Sequence, residues 1–300
     1  MTLHGLLAST ALLMLAACSR SGDDAVIVKQ PEIVVETPAP QVAQTVETPP
    51  PPEAVVQDEP APPAPTPAPA PAPTPAAEPV TLKYLMGDVK PGSDPLFKAV
   101  PGKLATRAGM YGHKDAVAAL EKMADAAATD GVDLKVVSAF RSFNDQKTIW
   151  NNKWTGATLV EGGKLPNTVP DPKKRALKIL EFSSMPGTSR HHWGTDFDLN
   201  DLTNTYFASG KGKKIHDWLT AHGADYGFCQ VYSPKGADRP NGYNEERWHW
   251  SYIPVASAYL AQYPTVMGYD HLKGFEGAAA AKDIDVITNY VQGINPACKR

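Results

Sequence analysis

Between Asp115 and Ala128, apolar residues recur at Val117, Leu120, Met123, Ala124 and Ala127, a spacing that predicts an amphipathic helix. Asp130-Gly131 then turns the chain. Val132, Leu134, Val136 and Val137 predict a strand running into Ser138-Ala139-Phe140-Arg141. A second helix is expected to carry Gln146, Ile149, Trp150 and Trp154. Asp171-Pro172 reads as a helix start, a capping side chain with proline at the first position, and Ala176, Leu177 and Leu180 continue it. Met185 to Thr188 is a loop, and Thr195 to Leu199 alternates like a strand. Ile215, Trp218 and Leu219 mark a helix ended by Gly223. Strands are expected at Tyr226–Tyr232 and Arg247–Tyr252, with a loop at 233–244 between them and a closing amphipathic helix at Asp283–Val291. Helices come first and last with strands between them. The expected fold class is therefore α+β, a small and mostly antiparallel sheet flanked by helices.

No such period exists before residue 81. Of the 29 prolines in the chain, 17 fall between Pro31 and Pro79. Ala, Val, Glu, Thr and Gln fill most of the rest, too little bulky apolar surface to offset the entropy of ordering. Residues 19–80 are expected to be a disordered, Pro-rich tether. In polyproline II at about 3.1 Å per residue it would reach no more than roughly 190 Å. Ahead of it, residues 5–17 form an apolar run too short to span a bilayer comfortably and ending in small residues. Leu15-Ala16-Ala17-Cys18 resembles a bacterial lipobox. That implies a lipoprotein signal at 1–18 with Cys18 lipidated; an ordinary signal peptide that happens to end in Cys is the plainer alternative. Ser19 after the Cys resembles the outer-membrane sorting pattern, so the expected location is the cell envelope, lipid-anchored and facing the periplasm. The folded domain is then 81–300.

Charge follows the same division. Residues 1–80 carry nine acids and two bases, and the remaining 23 acids and 27 bases give a net +4. So mild a balance argues against nucleic acid as a partner. With Cys18 lipidated, Cys229 and Cys298 remain as an even pair in an oxidising compartment. No metal-type Cys spacing is present, and a disulfide is expected, two unpaired buried thiols being the rival.

Three segments carry candidate chemistry: Ser189 to Asp198 (SRHHWGTDFD), Glu246 to Trp250 (ERWHW), and Ser138 to Arg141 with Gln146 downstream. A bend at Gly194 followed by extended chain would let His191 and Asp198 point into one cleft. His249 on a neighbouring strand would complete a set of three N/O ligands, leaving a fourth tetrahedral position for water, the catalytic zinc layout. Glu246, three residues before His249, could reach that water as general base. Arg141 would offer a fixed cation to an oxyanion.

These motifs, SxHxxGxxxD followed by ExWH with SAFRSFNDQ upstream, resemble the zinc D-Ala-D-Ala carboxypeptidases of the VanY-like branch of the M15 peptidases. The similarity runs from about Arg107 to Tyr252. It implies Zn2+ at His191, Asp198 and His249, Glu246 as catalytic base, and Arg141 in transition-state stabilisation and substrate binding. Ser189 and Gln146 match positions that contact the substrate's terminal carboxylate or carbonyl. The implied reaction is hydrolysis of the last peptide bond of a peptidoglycan stem peptide, by a monomer held to the membrane through its lipid. Alternatives are an L,D-carboxypeptidase, a cross-link endopeptidase, or a non-catalytic peptidoglycan-binding anchor. Each site residue has a rival: His192 for His191, Asp196 for Asp198, Glu245 for Glu246. Arg141 could instead be a structural ion pair. The Trp cluster (Trp193, Trp248, Trp250) reads as core.

Overall fold

Helical spacing in the sequence is matched by buried faces in the computed structural model, which describes residues 80–299. The expected signal at 1–18, Cys18, and the tether up to residue 79 lie outside the described residues. In chain order the helices are α1 (Leu82–Leu85), α2 (Lys114–Thr129), α3 (Phe143–Thr155), α4 (Leu165–Thr168), α5 (Pro172–Ile179), α6 (Gly210–His222), α7 (Ile253–Val266) and α8 (Ala280–Asp283). The strands are β1 (Phe97–Ala99), β2 (Tyr111–His113), β3 (Val136–Ser138), β4 (Asp196–Leu199), β5 (Phe228–Gln230) and β6 (His249–Tyr252). The architecture is α+β.

Local chemistry explains the helix ends. α3 opens with a reciprocal capping box between Ser142 and Asp145, and Gly156 closes it in the left-handed region. Asp171 caps α5 by accepting from the Lys174 amide at 2.8 Å, and Pro172 follows where no N–H is needed. On α2 the buried residues are Ala116, Val117, Leu120, Met123, Ala124 and Ala127, a single stripe.

Several expectations need correction. The strand expected from Val132 is formed only at Val136–Ser138; Val132 and Leu134 are buried without pairing in the sheet. α6 does end at Gly223, its C-cap, but that glycine stays right-handed, and the left-handed cap comes at Gly227 after a 3-10 turn. The closing amphipathic helix at Asp283–Val291 does not form as one element. Asp285, at φ +50, breaks it into α8 and a separate turn at Ile287–Val291. Asp tolerates that conformation better than most residues, and the Tyr269 hydroxyl holds its carboxylate there. The hairpin β1–β2 and the helix α7 were not expected. Pro254 and Pro264 bracket α7 and look like breakers, but Pro254 sits in its first turn, where a missing N–H costs nothing.

The main sheet has the order β3-β4-β6-β5 and is antiparallel throughout. Its register pairs Ser138 with Asp198 and Asp198 with His249, so one row across three strands brings two of the candidate site residues side by side. The next row on that face pairs Asp196 with Ser251. On α7, Tyr259 and Tyr263 pack against Trp193 with ring centroids 5.7 and 6.2 Å away. Cys229 on β5 is joined to Cys298 in a disulfide. Among the described residues, no helix is long and apolar enough to cross a membrane.

Candidate active site

After Ser189, the short turn Arg190–Trp193 ends at Gly194 with φ +71. A Cβ on Gly194 would lie 2.6 Å from the Phe97 ring and 2.8 Å from the His113 nitrogen, so only glycine fits the bend. The bend aims His191 at β4. Its Nδ1 donates to the Ala139 carbonyl at 2.8 Å, which fixes the tautomer and leaves the Nε2 lone pair 3.3 Å from Asp198 Oδ2.

His249 is fixed from its other edge. Its Nε2 donates to Asp196 Oδ1 at 2.9 Å, leaving Nδ1 at 3.1 Å from Asp198 Oδ1 and 3.4 Å from Glu246 Oε2. Ligand atoms of His191, Asp198 and His249 all lie within 4.8 Å of one another, and all three residues are buried. His191 Nε2 and Asp198 Oδ1 have no hydrogen-bond partner among the described residues. Buried polar atoms are rarely left unsatisfied. Two such atoms facing a third donor set, beside the further carboxylate of Glu246, fit a divalent cation.

Electrostatics show how strongly these buried groups are coupled. Burial alone would raise the Asp198 carboxyl, but His191 and His249 hold it well below its ordinary range. Burial would likewise lower His249, yet hydrogen bonds to Asp196, Asp198 and Glu246 outweigh it and hold the ring well above its usual value. Glu246 is pushed up by burial, with His249 pulling it back. A raised carboxyl is suited to accepting and returning a proton.

The rivals separate cleanly. His192 spends both ring nitrogens on the backbone, donating from Nδ1 to the Arg141 carbonyl at 2.7 Å and accepting from the Gly187 amide at 3.0 Å. Burial pushes its pKa down to about 3, so it is a neutral structural residue. Glu245 pairs with Arg247 at 3.1 Å. Asp196 accepts from Arg190 Nε at 2.9 Å, from Ser251 Oγ at 3.0 Å, and from Thr195 and His249. It orients His249 and does not reach the ligand cluster. Asp196→Asn is expected to weaken metal affinity roughly 10- to 100-fold; unchanged affinity in a chelator competition would remove that role.

Arg141 donates from Nη1 to Gln146 Oε1 at 2.9 Å, and its Nη2 lies 3.5 Å from Asp198 Oδ2. Gln146 in turn donates to the Ser184 carbonyl at 2.8 Å. Gln146 and Ser189 are buried and neither lines the cleft, so Gln146 acts on it through Arg141. The Ser189 hydroxyl has no partner among the described residues. Outside these residues opens a cleft of about 1350 Å³, with Arg141, Lys153, Asp198, Glu246 and Trp248 in its wall. Trp193 and Trp250 are core residues, whereas Trp248 is buried yet also faces the cleft. Sequence reading missed the parts played by Arg190 and Ser251. The period of two that puts residues 196 and 198 on one face of β4, and 249 and 251 on one face of β6, was the available signal.

Residues 109–255 match the family model described as VanY, D-alanyl-D-alanine carboxypeptidase. This chain carries a VanY domain. All the residues of the ligand cluster, with Glu246 and Arg141, fall inside the VanY match. Two curated relatives are similar to it. One is YodJ of Bacillus subtilis (strain 168), named as a carboxypeptidase, 28% identical over 158 residues, or 51% of this chain and 50% of that protein. The other is a D-alanyl-D-alanine carboxypeptidase of Enterococcus faecalis (strain ATCC 700802 / V583), 28% identical over 142 residues, or 46% and 47%. The chain thus spans about half the length of the curated relatives it matches. Among solved structures, a mutant of the vancomycin-resistance D,D-pentapeptidase VanY in complex with Zn(II) is 22% identical with a TM-score of 0.40, covering 54% of this chain and 86% of that one.

Proposed function

We propose that the VanY domain is a zinc-dependent D,D-carboxypeptidase that removes the terminal D-amino acid from peptidoglycan stem peptides. The observation that carries this reading is the convergence of the unpartnered His191 Nε2 and Asp198 Oδ1 with His249 Nδ1, next to Glu246 in the wall of an open cleft. His191, Asp198 and His249 would hold the zinc. When bound, that ion supplies Lewis acidity, polarising the scissile carbonyl and making a water acidic near neutral pH.

The chain's own groups do the rest. Glu246 accepts a proton from the attacking water as its oxygen bonds to the carbonyl carbon. It then returns that proton to the departing amine nitrogen as the C–N bond breaks. Arg141, steadied by Gln146, presents a guanidinium beside Asp198, where negative charge develops on the former carbonyl oxygen. Asp196 and the Ala139 carbonyl keep the two imidazoles in the tautomers that point lone pairs inward. The four donors on Asp196 hold it ionised for that task, since Arg190 and His249 overcome the rise that burial would cause.

The presence of every ligand and of the base counts against a non-catalytic wall anchor. Zinc content and release of D-alanine from a D-Ala-D-Ala peptide test the reading together. One equivalent of zinc with D-alanine release is the expected result. Protein that retains no zinc, or that holds zinc and releases no D-alanine, would overturn it.

A further inference from the structure

Glu246 lies outside the helices and strands, three residues before β6 begins, so no sheet ladder sets the position of its carboxylate. Its amide donates to the Tyr232 carbonyl at 2.9 Å, and its carbonyl accepts from Gln230 Nε2 at 3.2 Å. Those bonds hold the residue from the β5 side. The other side is held by Asn204. Its Nδ2 donates to the Glu245 carbonyl at 2.7 Å, and its Oδ1 accepts from the Arg247 amide at 3.1 Å. One side-chain amide thus closes on the peptide groups both before and after the base, and only this orientation of the amide satisfies both. Among the described residues, no other side chain bonds to both of those groups.

Asn204 is itself placed by β4. Asn200 leaves that strand at φ +64, and Asp201 Oδ1 then accepts from the Thr203 amide at 2.8 Å and from its hydroxyl at 2.6 Å. This turn brings residue 204 back against residues 245–247. β4 also carries Asp198, so the clamp joins the strand of a ligand to the segment of the base. A base works only within about 2.6–3.2 Å of the proton it takes, and an irregular segment keeps such a tolerance only through specific supporting bonds. We propose that Asn204 is the positioning residue for Glu246, fixing the carboxylate beside the ligand cluster by gripping the peptides on either side of it. The inference rests on the peptidase reading given above. Asn204 faces the cleft, but its amide spends both ends on the backbone, which makes it a support of the base and not a contact for substrate.

The test uses the zinc-loaded full chain and a peptide ending in D-Ala-D-Ala. Asn204→Asp keeps the shape and the acceptor but sets an oxygen against the Glu245 carbonyl, and Asn204→Ala removes both bonds. Each is expected to lose roughly 10- to 100-fold in kcat, the cost of misplacing a reacting group by about 1 Å, with KM and zinc content unchanged. Added to Glu246→Gln, the same changes should cost less than about twofold more, since no base is left to misplace. A full loss on that background would overturn the inference, as would native kcat in Asn204→Asp, a rise in KM alone, or loss of zinc. If wild type releases no D-alanine, the peptidase reading fails, and crystal structures of wild type and Asn204→Ala decide the point. The Glu246 carboxylate, 3.4 Å from His249 Nδ1 with the clamp intact, should move away while His191 and Asp198 stay in place; a carboxylate that did not move would overturn it.

Discussion

Glu246→Gln protein is expected to keep its zinc and lose about 10²- to 10⁴-fold in kcat. The substitution is nearly isosteric and removes the only carboxylate among the described residues that lies near His249 Nδ1 without belonging to the ligand cluster or orienting the ring. A role in protonating the departing amine as well would deepen the loss. The pH profile adds a second readout. Burial holds the Glu246 carboxyl above its ordinary value of 4.5, so the base form is lost as pH falls through that raised value. Wild-type kcat/KM should therefore fall on the acid side at a higher pH than an ordinary carboxylate would give, and the Gln variant should lack that limb. Glu245→Gln, whose carboxylate pairs with Arg247, should be nearly silent. Zinc lost from Glu246→Gln would make Glu246 a ligand and sink the scheme.

Alanine at His191, Asp198 or His249 should abolish zinc binding and activity together. Each change removes one of three buried donor atoms and leaves the other two too few to fix a metal. Stoichiometric zinc retained in all three variants would refute the assignment. His192→Ala provides the control in the neighbouring position. It should retain metal but lose stability, because the Arg141 carbonyl and Gly187 amide would be left unpaired at about 1–3 kcal/mol each. Differential scanning of the zinc-loaded variant, next to its metal content, separates the two effects.

The fold class and the site's outline were legible because both depend on short-range spacing. Alternation at Thr195–Leu199 and the offset between Glu246 and His249 each constrain a few residues along one chain segment. Supporting interactions were harder to read because they cross the sheet. Nothing local tells that Asp196 would gather Arg190, Ser251 and His249; that follows from a strand register. α7 was hidden by its prolines, and the C-terminal turn by one left-handed Asp285.

The disulfide between Cys229 and Cys298 bears on handling of the protein as much as on its strength. β5 is the last strand of the main sheet, and the C-terminal segment lies along its outer margin. There the Asn295 amide bonds to the Val231 carbonyl at 2.8 Å, and the Asn295 side chain to the Gln230 carbonyl at 3.1 Å. An uncovered strand margin is a template for pairing with another chain. The cross-link thus clamps a cover over the one side of the sheet that adjoins His249's strand. Material made in a reducing cytosol would hold that cover only by hydrogen bonds and the packing of Val291 and Ile294, and it should self-associate through β5 before the catalytic cluster itself comes apart.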